Sequence, residues 1–281
     1  MSDLHSINEA INKKAGRKLL PSIVVGLSLI ALVWFTLTYQ REIFAVVVAV
    51  AVILGVRELV RAFSARGIVI SFNGLTLAAI GLSYAAWVGG VAGLAVATAI
   101  AFPLLLIRAL LQGPEGFVAK ATATTFGLLY LPFLAGFLIL FARPSTGFQR
   151  VMTFVVLVGC NDTFGYIVGV LLGKHPLVPK ISPKKTWEGL AGSMIFTMIG
   201  GAIAFEYIMD MHWWIGIIVG LMIVFTATCG DLIESAMKRD LSLKDMGTLL
   251  PGHGGMLDRL DSVVLSSPAM WLALEIVKHF L

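Results

Sequence analysis

The sequence predicts an all-α polytopic membrane protein of about nine transmembrane helices with a cytosolic N-terminus. Three observations carry that expectation. Of 281 residues, 58% are apolar and only 13% charged, with a mean hydropathy of +0.92, whereas soluble domains carry roughly 25% charged and 45–50% apolar residues. The apolar residues gather into runs close to the roughly 20 residues that cross a bilayer. Basic residues, in turn, fall on alternate sides of those runs, as the positive-inside rule requires. The same composition argues against a soluble enzyme and excludes a disordered chain.

The runs cover residues 20–39, 43–60, 70–88, 91–110, 122–142, 151–172, 190–208, 213–230 and 262–281. Lipid offers no partner to an open backbone, so each run should be helical. The third is interrupted by Ser71, Asn73 and Gly74, and only Gly89-Gly90 separates it from the fourth, so the two should form a tight helical hairpin. The first 18 residues are polar and carry Lys13, Lys14, Arg17 and Lys18. They read as a cytosolic lead-in without a cleavable signal peptide. With the N-terminus inside, 17 basic residues fall on the inner side, and Arg41, Arg143, Arg150 and Lys278 fall outside. Residues 1–150 are expected to form an N-terminal transmembrane region of about five spans, and residues 151–281 a second transmembrane region with two cytosolic polar loops, 173–189 and 231–261. No internal repeat is evident.

The net charge is +5. The basic residues are too scattered among apolar runs to make a duplex-binding face, so no nucleic-acid partner is expected; anionic lipid headgroups or a phosphorylated substrate fit better. Cys160 and Cys229 each end an apolar run and read as small packing residues, with neither a disulfide nor a zinc pattern.

Function should sit in the two polar loops. Asp258 and Asp261 lie three apart at the mouth of the last run, and Asp231 and Glu234 repeat that spacing at the end of the eighth. Residues three apart share a helix face. Acids gathered at a membrane surface repel one another unless a cation joins them, and Mg²⁺ is the simplest hard ion for oxygen ligands. Helix capping and loop salt bridges are the alternative, an even one for Glu234 and Asp240 and a weaker one for Asp258 and Asp261, because carboxylates at a membrane helix end are costly. The turn Pro251-Gly252-His253-Gly254-Gly255 can expose successive backbone N–H groups to a phosphate. In the first loop, Lys184 and Lys185 follow a Ser182-Pro183 turn beside Trp187, a plausible phosphate site; the positive-inside rule alone explains Lys174 and Lys180 at least in part. Asp162 interrupts the sixth run and is expected to face the same polar cavity.

The residues Ser235-x2-Lys238-Arg239-x4-Lys244-Asp245-x-Gly247-x2-Leu250-Pro251-x-His253-Gly254-Gly255-x2-Asp258-Arg259-x-Asp261 resemble the signature of the phosphatidate cytidylyltransferases, the CDP-diacylglycerol synthases, at every fixed position over 27 residues. Gly173-Lys174 and the block Ser182 to Gly189 resemble a second block of that family. The resemblance covers roughly 160–261; residues 1–150 share only their apolar, multi-spanning character. One departure is Gly165, where the family pattern has Ala, which bears on local packing.

The resemblance implies that CTP and phosphatidate react to give CDP-diacylglycerol and pyrophosphate. It further implies a Mg²⁺ site with K⁺ alongside in some members, a homodimer, and metal ligation by Asp231, Asp258 and Asp261. Catalysis is expected of those three acids together with Lys244, His253 and Arg259. Substrate binding is expected of Ser182, Lys184, Lys185, Lys238, Arg239, Gly254, Gly255 and Asp162. Such a site belongs at the membrane interface of a bacterial plasma membrane, facing the cytosol, where a soluble nucleotide meets a lipid. A secondary transporter would place its acids near the midplane of related halves. The Asp-Gly-x2-Ala-Arg opening of the CDP-alcohol phosphotransferases does not occur, and a noncatalytic scaffold has no use for this crowd of acids and lysines.

Overall fold

The computed structural model describes residues 19–243, 245–247 and 254–280. The chain is helical almost throughout: α1 (Leu19–Tyr39), α2 (Arg41–Ser64), α3 (Phe72–Leu110), α4 (Phe117–Leu128), α5 (Leu134–Ala142), α6 (Gly147–Leu172), α7 (Trp187–Tyr207), α8 (Trp213–Asp240) and α9 (Leu257–Phe280). A five-residue π-helical stretch, Leu129–Phe133, joins α4 to α5. Pro132 within it lacks a backbone N–H, which opens the hydrogen-bond ladder locally. Among the described residues, seven helices are long and apolar enough to cross a membrane: α2, α3, the continuous Phe117–Ala142, α6, α7, α8 and α9.

Helix α3 is too long for a single crossing, and it doubles back. Gly90 has φ +61°, a left-handed conformation that glycine adopts without penalty. A Cβ on Gly93 would run into the Ala85 carbonyl, and one on Gly74 would sit 2.8 Å from Leu105 Cδ2. At the open end, Arg108 Nε donates to Ser71 Oγ at 2.6 Å. The two arms are therefore antiparallel, as the Gly89-Gly90 break predicts.

A close crossing joins α7 and α8. A Cβ at either Gly201 or Gly216 would collide with the backbone of the other helix. Small residues at such crossings let helices approach closely where lipid supplies no hydrophobic force between them. Helix α9 packs against α8, α5 and α2, and Ser267 Oγ donates to the Leu134 carbonyl at 2.7 Å.

The helix ends gather into two layers. In one, Arg41 donates to the carbonyls of Arg143 (2.9 Å) and Pro144, Arg143 donates to Val88 O at 3.0 Å, and Arg150 pairs with Glu275. The other layer holds the ends of α2, α6 and α8, the starts of α7 and α9, and Arg66 on Asp240 O at 2.7 Å. The four basic residues expected outside thus stand apart from Arg66, Arg108, Lys185 and Lys238. Lys13, Lys14, Arg17 and Lys18 lie outside the described residues.

Two expectations need correction. The stretch 231–261 is not one polar loop: α8 continues to Asp240 and α9 begins at Leu257. Polar side chains do not stop a helix that leaves the bilayer, because its backbone bonds remain internal. The first loop is not irregular either. It folds into an antiparallel hairpin, β1 (Pro176–Val178) and β2 (Ser182–Thr186), with Pro176 opposite Thr186 and Val178 opposite Ser182. Among the described residues, a chain read as all-α therefore carries one small sheet, and α7 begins at Trp187, where Thr186 Oγ1 accepts the Gly189 N–H at 3.1 Å.

Candidate active site

The last turns of α8 place Asp231, Glu234 and Lys238 on one face by their spacing of three and four. Gly230 sets their distance from α9, since a Cβ there would strike the Asp261 carbonyl. This close approach lays the Asp231 and Asp261 carboxyls against each other. Asp261 is buried, and its Oδ1 accepts the Ser262 N–H at 2.7 Å. Lys238 Nζ pairs with Glu234 within α8 and reaches Asp258 Oδ1 at 3.0 Å across the gap.

Asp258 also holds the backbone of the connecting segment. Its Oδ2 accepts N–H groups from Gly255 at 2.6 Å and Met246 at 3.2 Å. Gly254 has φ +77°, and a Cβ there would sit 2.8 Å from Asp258 Oδ2. Gly254 is thus required both for its turn and for the carboxylate that folds onto it.

Helix α6 adds Asp162. Its Oδ1 accepts Asn161 Nδ2 at 2.9 Å, and its Oδ2 accepts Ser262 Oγ from α9 at 3.4 Å. The β-hairpin contributes Lys185, whose Nζ pairs with Asp231 Oδ2. Two side chains, Glu188 and Arg239, hold that hairpin over the acids. Glu188 Oε2 accepts the N–H groups of Lys174 (3.1 Å) and His175 (3.2 Å), while His175 Nδ1 lies 2.6 Å from Glu188 Oε1. From α8, Arg239 Nε donates to Ile181 O at 3.3 Å.

Of the residues expected to act, Asp162, Lys185, Asp231, Lys238, Asp258 and Asp261 come together, with Gly254 and Gly255 beside them. Arg259 lies half-buried on the first turn of α9, and Ser182 opens β2. Lys184 is exposed; neighbours along a strand point to opposite faces, so only one lysine of the pair can meet Asp231. Arg239 grips the hairpin backbone. Lys244 and His253 lie outside the described residues.

The sequence reading missed Glu58 of α2, which is buried and bonds the backbone at Met256 and Leu257. An acid inside an apolar run was the available signal. It also missed Tyr130 on the π-helical stretch, whose buried hydroxyl lies in the field of Asp261, Glu234 and Asp231.

Among the described residues, no group of three or more His, Cys, Asp or Glu side chains is arranged to hold a metal by itself. The donor set nevertheless suits Mg²⁺, which typically takes one or two protein carboxylates and completes its shell with water and substrate phosphates. Asp231 and Asp261 supply such a pair. Around them, Tyr130 Oη, Asn161 Oδ1 and Glu234 Oε1 are buried oxygens with no hydrogen-bond partner among the described residues. Buried oxygens of this kind are normally satisfied, and a hard cation with its water satisfies oxygens.

The chain matches the model of the cytidylyltransferase family over residues 21–277. It is 35% identical over 277 residues to a phosphatidate cytidylyltransferase of Mycobacterium bovis, an alignment covering 94% of this chain and 90% of that one. It is 36% identical over 280 residues to the phosphatidate cytidylyltransferase of Mycobacterium leprae, with 94% and 90% covered. A phosphatidate cytidylyltransferase of Staphylococcus haemolyticus is 38% identical over 136 residues, 48% of this chain and 52% of its own. A helical membrane bundle that gathers its acids and lysines at one end, matched along nearly its whole length, belongs to the cytidylyltransferase family, the family of these phosphatidate cytidylyltransferases.

Proposed function

We propose that the protein transfers the cytidylyl group of CTP to phosphatidate, giving CDP-diacylglycerol and pyrophosphate for phospholipid biosynthesis. The observation that carries this reading is the Asp231–Asp261 carboxyl pair flanked by Lys185 and Lys238, at the end of a membrane bundle. Two polyanionic substrates need cations around them, one substrate arrives from water, and the other is anchored by acyl chains. A site at the end of the bundle serves both.

In the proposed reaction a phosphatidate oxygen attacks the α-phosphorus of CTP, and the bond to the β-phosphate breaks. The attacking phosphate monoester has a second pKa near 6 and is already largely ionised at neutral pH. No general base is needed, and positioning with charge neutralisation supplies the catalysis. Asp231 and Asp261 would hold Mg²⁺, which when bound neutralises charge on the departing pyrophosphate. Lys185 and Lys238 are placed to take phosphate oxygens, beside the Gly254–Gly255 backbone that Asp258 holds. Asp258 orients that segment and keeps Lys238 in place. The unpaired oxygens of Asn161 and Glu234 support a second, monovalent cation, K⁺, alongside.

The reading extends to topology. The proposed topology counts α1 and the two arms of α3 separately, for nine crossings with a cytosolic N-terminus. The excess of lysine and arginine there supports a cytosolic active site in a bacterial plasma membrane. The family resemblance implies a homodimer.

The test is pyrophosphate release from CTP by the purified protein with phosphatidate in mixed micelles and Mg²⁺. Formation of CDP-diacylglycerol in equal amount is expected. Absence of CTP-dependent pyrophosphate release from folded protein would overturn the reading.

A further inference from the structure

Helix α2 belongs to the half of the chain to which the sequence reading gives no chemical role, yet it sends one acid into the site. Glu58 is only 5% exposed, and both of its oxygens are engaged by the start of α9: Oε1 accepts the Met256 N–H at 2.9 Å and Oε2 accepts the Leu257 N–H at 2.8 Å. These are donors at the helix start that have no partner within the helix, and the helix dipole favours a negative charge beside them. Asp258 takes the preceding amide, Gly255, so two carboxylates clamp three successive N–H groups.

The glycines of the segment make room for this acid. A Cβ on Gly247 would collide with Glu58 Oε1, and a Cβ on Gly255 would collide with Oε2 and lie 2.7 Å from Oε1. Neither glycine has a positive φ. Their requirement is space for the Glu58 carboxylate.

We infer that Glu58 is a positioning residue for the reaction: it fixes the first turn of α9, so that Asp258 and Asp261 stand where Asp231 and Lys238 can meet them. Glu58 touches neither substrate nor metal and acts through the backbone of Met256 and Leu257. The chemistry it serves rests on the function proposed above. A carboxylate from the N-terminal helices that sets the geometry of acids 200 residues further on makes those helices part of the active site.

The experiment compares wild type with Glu58→Gln, which keeps the volume but sets an NH₂ group against a backbone N–H, and with Glu58→Ala. Two readouts are taken on full-length protein in micelles: the Mg²⁺ concentration for half-maximal pyrophosphate release, and the Mn²⁺ concentration for half-maximal protection against thermal unfolding without substrate. Both midpoints are expected to rise about tenfold in Glu58→Gln, with kcat at saturating Mg²⁺ falling ten- to a hundredfold and KM for CTP within a factor of two. A cap serving stability alone would reduce the amount of folded protein and leave both midpoints in place, which would overturn the inference.

If Glu58→Gln yields no folded protein, Gly255→Ala tests the same clamp from the other side. It should reproduce the shift in both midpoints, and unchanged midpoints there overturn the inference equally. Adding Gly255→Ala to Glu58→Ala should cost less than twofold more, because the space is then free; a fully multiplicative loss contradicts the clamp. A wild type that shows the Mn²⁺ protection and its Glu58 dependence but releases no pyrophosphate would sink the proposed function and leave the role of Glu58 standing.

Discussion

Lys185 of the β-hairpin pairs with Asp231 of α8 across 46 residues of sequence. Together with Arg239 on the Ile181 carbonyl, that contact ties the two polar segments of the chain into one site. It joins a cation suited to phosphate to an acid suited to a metal.

The pair makes Lys185 and Lys184 unequal. Lys185→Ala should raise the KM for CTP by tenfold or more, as expected from losing a charge-assisted hydrogen bond of about 1.5–3 kcal/mol. Lys184→Ala, on the exposed face of β2, should change KM less than threefold. Steady-state kinetics on both variants decide this, and equal effects would show that the hairpin presents its two lysines alike.

The acids should rank by their contacts. Asp231→Asn and Asp261→Asn remove charge from the proposed Mg²⁺ pair and should each lower kcat about a hundredfold or more, with extraction and melting behaviour unchanged. Asp258→Asn keeps an oxygen for the Gly255 N–H, as an asparagine cap does. It should lose roughly tenfold, through its weakened hold on Lys238. Near-wild-type turnover in Asp261→Asn would remove that residue from the ligand set.

Packing at the α7–α8 crossing predicts a stability effect without a catalytic one. Gly216→Ala forces a methyl group into the Gly201 backbone and should destabilise by about 1–3 kcal/mol, the usual range for overpacking. Gly81→Ala, which meets nothing within 4 Å, should not destabilise. Thermal denaturation in micelles reads both, and equal melting of the two variants would contradict the crossing.

Topology has its own test. A cysteine introduced at position 180, in the hairpin, should be labelled by a membrane-impermeant maleimide only from the cytosolic side. One at position 146, in the opposite layer of helix ends, should react only from outside. The two positions labelled from one side would break the proposed nine-span arrangement.

The sequence by itself determined the membrane character, the apolar helices and the reversal at Gly89-Gly90, because composition, run length and glycine placement are local properties that the bilayer converts directly into helices. It also marked Asp231, Asp258, Asp261 and Lys185, since charge beside an apolar run is conspicuous. Tertiary structure alone decided which of these residues meet. The close approach at Gly230 brings Asp231 to Asp261, strand alternation selects Lys185 over Lys184, and Ser262 of α9 reaches back to Asp162 of α6. Glu58 shows the limit most clearly. Its partners are backbone N–H groups, which every residue but proline possesses, so no spacing of side chains could reveal a bond that exists only because α2 packs against the first turn of α9.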